Sequence, residues 1–139
     1  DEMRAALGSV QLKKLLEGNR KRQKLTERYC HNLKKTDVHI PFEEQPASSS
    51  SAYHIMPVLL PAHIDRVAVI NDLKNKRIQT SIHYPPFWEF SAFAGLFTPN
   101  DSPITANICR RQLTLPLYPT MKPKEVDKVC DVLLKAINK

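Results

Sequence analysis

Arg77-Ile78-Gln79-Thr80-Ser81-Ile82-His83-Tyr84-Pro85-Pro86-Phe87-Trp88 reads as a short strand running into a proline-stiffened aromatic turn. Ile78, Ile82 and Tyr84 alternate with Gln79, Ser81 and His83. A period of two assigns the apolar set to a core and the polar set to an open face. Pro85 and Pro86 offer no ladder donors, so the strand stops before them with its backbone held extended. His83 is then the last residue on the open face, at a strand end well suited to present a side chain to a ligand.

Upstream of this stretch, Asp65 can cap a helix that runs through Lys76 and buries some of Val67, Ile70 and Leu73. Downstream, Phe87, Trp88, Phe90, Phe93 and Phe97 hold half of the chain's aromatic residues, and Gly95 ends a short helix among them. Pro99 to Pro103 reads as a turn, Ile104 to Arg111 as a short helix carrying Cys109, and Leu113-Thr114-Leu115 as a brief strand closed by Pro116. The last helix has the clearest pattern. Pro123 suits its first turn, and Val126, Val129, Cys130, Leu133 and Ile137 share one face.

Working back toward the N-terminus, Ala52 to Leu60 is rich in strand formers, although Pro57 confines it to a sheet edge or a bulge. His54 within it reads as a hydrogen-bonded structural residue. Thr36 to Ser51 is a connection, with Val38 to Phe42 as an edge strand followed by Pro46 and four serines. Residues 20–35 form a polar helix whose narrow apolar stripe is Leu25, Tyr29 and Leu33, and such a helix often bridges domains. Cys30 and His31 near its end read as structural. Gly18 with Asn19 marks a break from a first helix that is apolar on two sides, with Met3, Ala6, Leu7 and Val10 on one and Ala5, Leu12 and Leu16 on another. That first helix expects two packing partners, and its abrupt start expects chain upstream of Asp1.

These segments predict an α+β fold. Its small, mainly antiparallel sheet is drawn from residues 38–42, 52–60, 78–84 and 113–118, with helices on one face and an N-terminal helical extension. Two units follow: residues 1–35 as bridging helices and residues 36–139 as a small α+β domain.

The 139 residues are 42% hydrophobic and 25% charged, enough for one hydrophobic core. No apolar run is long enough to span a bilayer and no signal peptide is recognisable, so a cytoplasmic protein is expected. Three widely spaced cysteines without a C-x-x-C pair fit reduced thiols, and no metal site is expected. The net charge of +7 gathers largely in residues 13–35, where a solvated helix face accounts for it. Nucleic-acid binding by that run stays an alternative, disfavoured because no aromatic residues interleave with it.

The order Asp65-Arg66, helix, Ile78-Gln79-Thr80-Ser81-Ile82-His83-Tyr84-Pro85-Pro86, then Leu113-Thr114-Leu115-Pro116-Leu117-Tyr118-Pro119 and a last helix resembles the C-terminal part of the DegT/DnrJ/EryC1/StrS sugar aminotransferases. The run Asp1 to Leu15 is similar to the family segment that follows the cofactor-binding half. The family usually has glycine where this chain has Arg77, at a helix exit that favours a left-handed residue. The resemblance implies a fold-type-I enzyme dependent on pyridoxal phosphate. It also implies a missing cofactor domain upstream, a homodimer, a nucleotide-sugar substrate and an amino-acid donor.

No lysine here lies in a stretch like the family's cofactor lysine, so no catalytic or cofactor-binding residue is expected in this chain, and no cofactor is expected on it alone. The resemblance carries a substrate-side role onto His83. Proximity adds Tyr84, Phe87 and Trp88 as an aromatic wall, against the reading that Trp88 and Phe90 are core. A noncatalytic binding or regulatory module of the same fold is the other open reading.

Overall fold

A computed structural model describes residues 1–43 and 49–139. Helix α1 spans Glu2–Leu33, strand β1 Met56–Leu59, helix α2 Arg66–Asn75, helix α3 Pro103–Arg111, strand β2 Gln112–Leu115 and helix α4 Pro123–Ile137. Single 3-10 turns at Phe87–Glu89, Ser91–Phe93 and Pro99–Asp101 carry the chain from the His83 segment to α3. The fold is α+β.

β1 and β2 pair antiparallel, Met56 opposite Leu115 and Leu59 opposite Gln112. The other two expected strands join the same sheet only as single antiparallel bridges, His39 to Leu59 on one side and Ser81 to Thr114 on the other. All four segments are thus neighbours in the expected sense, although two do not develop ladders. The first bridge stops for a chemical reason. His39 and Leu59 exchange both backbone bonds, at 3.0 and 2.8 Å. The next such pair in an antiparallel register would lie two residues on, where Pro41 would face Pro57 and neither has an N–H. Pro57 therefore sits where its missing donor costs β1 nothing. The connection through Pro46 lies outside the described residues.

The core is one cluster. Leu25, Tyr29 and Leu33 of α1 meet Val69 and Leu73 of α2, Met56 and Val58 of β1, Leu113 and Leu115 of β2, and the full predicted stripe of α4. Val126 and Leu133 are completely enclosed. In α2 the buried residues are Val69 and Leu73, with Ile70 partly covered, while Val67 is exposed. The helix is therefore rotated slightly from the expected face. Asp65 caps it, its carboxylate accepting from the Val67 N–H at 2.8 Å.

The exit of α2 is a left-handed turn. Arg77 has φ of +61°, the Ile78 N–H bonds back to Leu73 O and the Arg77 N–H to Lys74 O, both at 2.9 Å. This is a Schellman motif, and the hydrophobic contact that usually accompanies it is supplied by buried Ile78 and Leu73. Arg77 occupies its left-handed position without the freedom of glycine.

The expected break at Gly18 does not occur, and α1 is continuous. One glycine inside a helix costs about 1 kcal/mol relative to alanine, less than the loss of several helical hydrogen bonds. Asn19 is also held within the helix by the guanidinium of Arg22, which in turn donates to Tyr53 O at 2.8 Å. The helix is built in two parts all the same. Residues 2–17 have no buried side chain, and Met3, Leu7, Leu12 and Leu16 are exposed, whereas Leu25, Tyr29 and Leu33 are enclosed. The Tyr29 hydroxyl donates to Pro116 O at 2.9 Å, pinning α1 to the segment after β2.

Candidate functional site

Residues from four separate parts of the chain border a cleft of about 540 Å³, among them His54, Arg77, Ser81, His83, Thr114 and Tyr118, with Glu125 and Lys128 contributed by α4. The single bridge between Ser81 and Thr114 builds its floor. The Ser81 N–H donates to Thr114 O at 3.1 Å and the Thr114 N–H to Ser81 O at 2.8 Å. Paired residues in a sheet project to one face, and so does a residue two positions on. Ser81, Thr114 and His83 therefore share a face, opposite to Leu113 and Leu115 in the core.

His83 is half-buried, and its Nδ1 lies 2.9 Å from Thr114 Oγ1 and 3.4 Å from Ser81 Oγ. The other ring nitrogen, Nε2, is left without a protein partner among the described residues. Ile82 and His83 lie on different clefts as alternation requires, but Ile82 is not the core residue expected: it is half-buried and borders a different cleft, of about 310 Å³, together with Arg66, Trp88 and Cys109.

Tyr84 departs from the alternation. It was expected on the core side and is 70% exposed, its ring edge-on to His83 at 5.2 Å. The ladder has already ended at Ser81, so no pairing fixes the direction of Tyr84. Its carbonyl is used instead, accepting from Gln112 Nε2 at 2.6 Å and from the Cys109 thiol at 3.7 Å.

Trp88 lies on the Ile82 side, bordering the same cleft. Phe87 is the hub of an aromatic cluster, edge-on to Trp88 at 5.1 Å, Phe93 at 5.9 Å and Phe97 at 5.0 Å. None of these rings belongs to the main core, and Phe90, Phe93 and Phe97 are substantially exposed. The structure thus brings His83 and Tyr84 together and sets Trp88 beside a second cleft, with Phe87 packed against Trp88 in the aromatic cluster.

Sequence reasoning missed Thr114, the sole buried polar residue among the described residues. Its signal was a hydroxyl between two leucines in a strand otherwise destined for the core. His54, exposed and outside β1, borders the cleft and is not strand-bound as expected.

Burial pushes the Cys130 thiol up to about 11 and also raises those of Cys30 and Cys109. Among the described residues no group of three His, Cys, Asp or Glu could hold a metal ion, and no helix is long and apolar enough to cross a membrane.

Comparison with known proteins gives this geometry a family. The model of the DegT/DnrJ/EryC1/StrS aminotransferase family matches residues 1–134. A dTDP-4-dehydro-2,3,6-trideoxy-D-glucose 4-aminotransferase from Saccharopolyspora spinosa is 33% identical over 138 residues, covering 99% of this chain and 34% of that protein. A dTDP-3-amino-3,6-dideoxy-alpha-D-galactopyranose transaminase from Aneurinibacillus thermoaerophilus is 27% identical, covering 96% of this chain and 35% of its own length. Among solved structures, DesV of S. venezuelae, in complex with a ketimine intermediate, superposes with a TM-score of 0.86 at 25% identity, covering all of this chain and 37% of that one. The aminotransferase TlmJ of Streptoalloteichus hindustanus gives a TM-score of 0.85 at 27% identity, over 96% of this chain and 36% of its own. The chain spans about a third of the length of the curated relatives it matches. With order, spacing and fold in agreement, this chain belongs to the DegT/DnrJ/EryC1/StrS aminotransferase family.

Proposed function

We propose that this chain is the C-terminal segment of a pyridoxal-phosphate-dependent, fold-type-I aminotransferase that acts on keto-sugar nucleotides in amino-sugar biosynthesis, with an amino acid as donor. The observation that carries the reading is the family match over residues 1–134, joined to relatives named as nucleotide-sugar aminotransferases. In this reading residues 1–35 bridge to a cofactor domain and residues 36–139 form the small domain. The whole enzyme is a cytoplasmic homodimer.

The chain's own residues do not fit a complete cofactor site. A Schiff-base lysine has to lose its proton near neutral pH, which calls for enclosure or a neighbouring cation. Every lysine of this chain is exposed. No step through the cofactor is assigned to these residues, and the chain alone is inactive.

What the segment contributes is a wall of the substrate site. His83 borders the cleft, and its Nε2, which has no protein partner among the described residues, hydrogen-bonds the sugar or its cofactor-linked form, with Tyr84 covering the ring from the solvent side. Phe87 and Trp88 line the approach on the far side of the same strand end. The test is glutamate-dependent amination of a keto-sugar nucleotide, measured for this chain and for the full-length enzyme that contains it. Turnover by the full-length enzyme alone is expected; turnover by the isolated chain, or a visible cofactor band on it, defeats the reading.

A further inference from the structure

We infer that Thr114 is a positioning residue that holds the His83 ring in the one orientation presenting Nε2 to the cleft. The inference rests on the substrate-side reading of His83.

Thr114 is an unusual component of β2. Its neighbours Leu113 and Leu115 are enclosed in the core, and Thr114 is itself only 7% exposed. A buried hydroxyl without a partner costs roughly 1–3 kcal/mol, so such groups are retained where they are bonded. The partner here is His83 Nδ1 at 2.9 Å, contributed from 31 residues away. The backbone N–H and C=O of Thr114 are both spent on Ser81, two residues before His83. Backbone and side chain of one residue therefore grip both the strand end and the ring that it carries.

The geometry makes the grip directional. The backbone bridge at Ser81 brings the His83 segment beside β2, and the hydroxyl then selects the ring orientation that brings Nδ1 to it. With Nδ1 engaged, Nε2 points away from Thr114, the arrangement that a hydrogen-bonding partner on one ring nitrogen imposes on working histidines. A threonine hydroxyl both donates and accepts, so it serves Nδ1 in either tautomer and in the imidazolium. Ser81 Oγ, exposed and at 3.4 Å, is a weaker second hold. The Tyr84 ring edge packs on His83 but distinguishes neither nitrogen.

The test needs no cofactor for its first readout. In the 139-residue chain, three-bond couplings of His83 are expected to report a single χ1 rotamer. Thr114→Val, which keeps shape and the backbone bridge, is expected to average those couplings, and Thr114→Ser to restore the single rotamer. Averaged couplings in the wild type overturn the inference without any variant. So does a single rotamer in a folded Thr114→Val chain.

In the full-length enzyme, Thr114→Val is expected to lower kcat/KM for the sugar nucleotide about three- to tenfold and Thr114→Ser less than threefold. Combined with His83→Ala, Thr114→Val should add nothing further. If His83→Ala itself leaves kcat/KM unchanged while the coupling data stand, the substrate reading fails and the positioning contact survives. If His83→Ala impairs turnover and Thr114→Val does not, the positioning role fails alone.

Discussion

Arg28 in α1 and Asp127 in α4 form a two-pronged ion pair, Nε to Oδ1 at 2.7 Å and Nη2 to Oδ2 at 2.6 Å, between residues 99 apart in sequence. Asn32, one helical turn on from Arg28, donates to the same carboxylate at 2.9 Å. The bonds from Arg28 and Asn32 bring the Asp127 carboxyl down to about 2 from its ordinary 3.8. The pair clamps α1 to α4 at the rim of the core, just where the buried stripe of α1 lies.

Asp127→Asn is therefore expected to lower the stability of the chain near neutral pH. The folded-state value lies below the unfolded one, so the contribution is fully present above about pH 4 and fades as pH falls from there toward 2. Chemical denaturation of both proteins across that range checks it, and the gap between them should also shrink with added salt. A gap that persists undiminished at pH 2 would rule out the linkage.

Tyr29→Phe removes the donor to Pro116 O and leaves a carbonyl unpaired, at an expected cost of about 1–2 kcal/mol. Tyr29→Ala should cost about 3–5 kcal/mol by opening a cavity between α1 and α4. Burial also raises the Tyr29 phenol above its ordinary 10. The sign follows: its neutral form is favoured in the fold, so stability is intact below pH 10 and declines above it as the unfolded phenol ionises. Tyr29→Phe should lose that alkaline decline in equilibrium unfolding.

At Arg77 the expectation is a gain. The residue has φ of +61° in a Schellman turn, a conformation that costs an L-residue about 1–2 kcal/mol and glycine nothing. Glycine returns part of that through a more flexible unfolded chain, so Arg77→Gly should stabilise by roughly 0.5–1 kcal/mol. A lower melting temperature for Arg77→Gly would mean that the guanidinium makes a compensating contribution.

His83→Ala and Ile82→Ala test the two sides of the strand end. His83→Ala should leave the fold intact and, in the full-length enzyme, cut kcat/KM about three- to tenfold for loss of a neutral hydrogen bond. Ile82 is half-buried, so Ile82→Ala should cost about 1–2 kcal/mol, less than the 2–5 kcal/mol of a fully enclosed position. An unfolded His83→Ala beside a stable but impaired Ile82→Ala would reverse the assignment of faces.

The exposed first half of α1 gives a prediction about assembly. Met3, Leu7, Leu12 and Leu16 have no cover in this chain, and a helix without packing is marginal in water. Removing residues 1–16 should leave the unfolding midpoint nearly unchanged, while in the proposed full-length dimer the same residues should be protected from hydrogen exchange. Protection in the isolated chain, with sedimentation showing a well-behaved monomer, would remove the need for a partner there.

The sequence by itself determined the elements whose information is local. The α4 stripe from Val126 to Ile137, the buried triplet Leu25, Tyr29 and Leu33, and the Asp65 cap all follow from periods and caps written within one or two turns. The polar face through His83 was legible for the same reason, since a period of two needs only adjacent residues.

Tertiary structure decided what depends on two distant segments at once. Whether residues 38–42 and 78–84 extend as ladders or stop at one bridge depends on what faces them, and at Pro41 and Pro57 two missing donors coincide. The outward turn of Tyr84 follows from the end of pairing at Ser81, and the continuity of α1 through Gly18 from fastening by Arg22 to Tyr53 O. The hydroxyl of Thr114 meets His83 only because an antiparallel register lays Ser81 beside it, and register is a property of the pair.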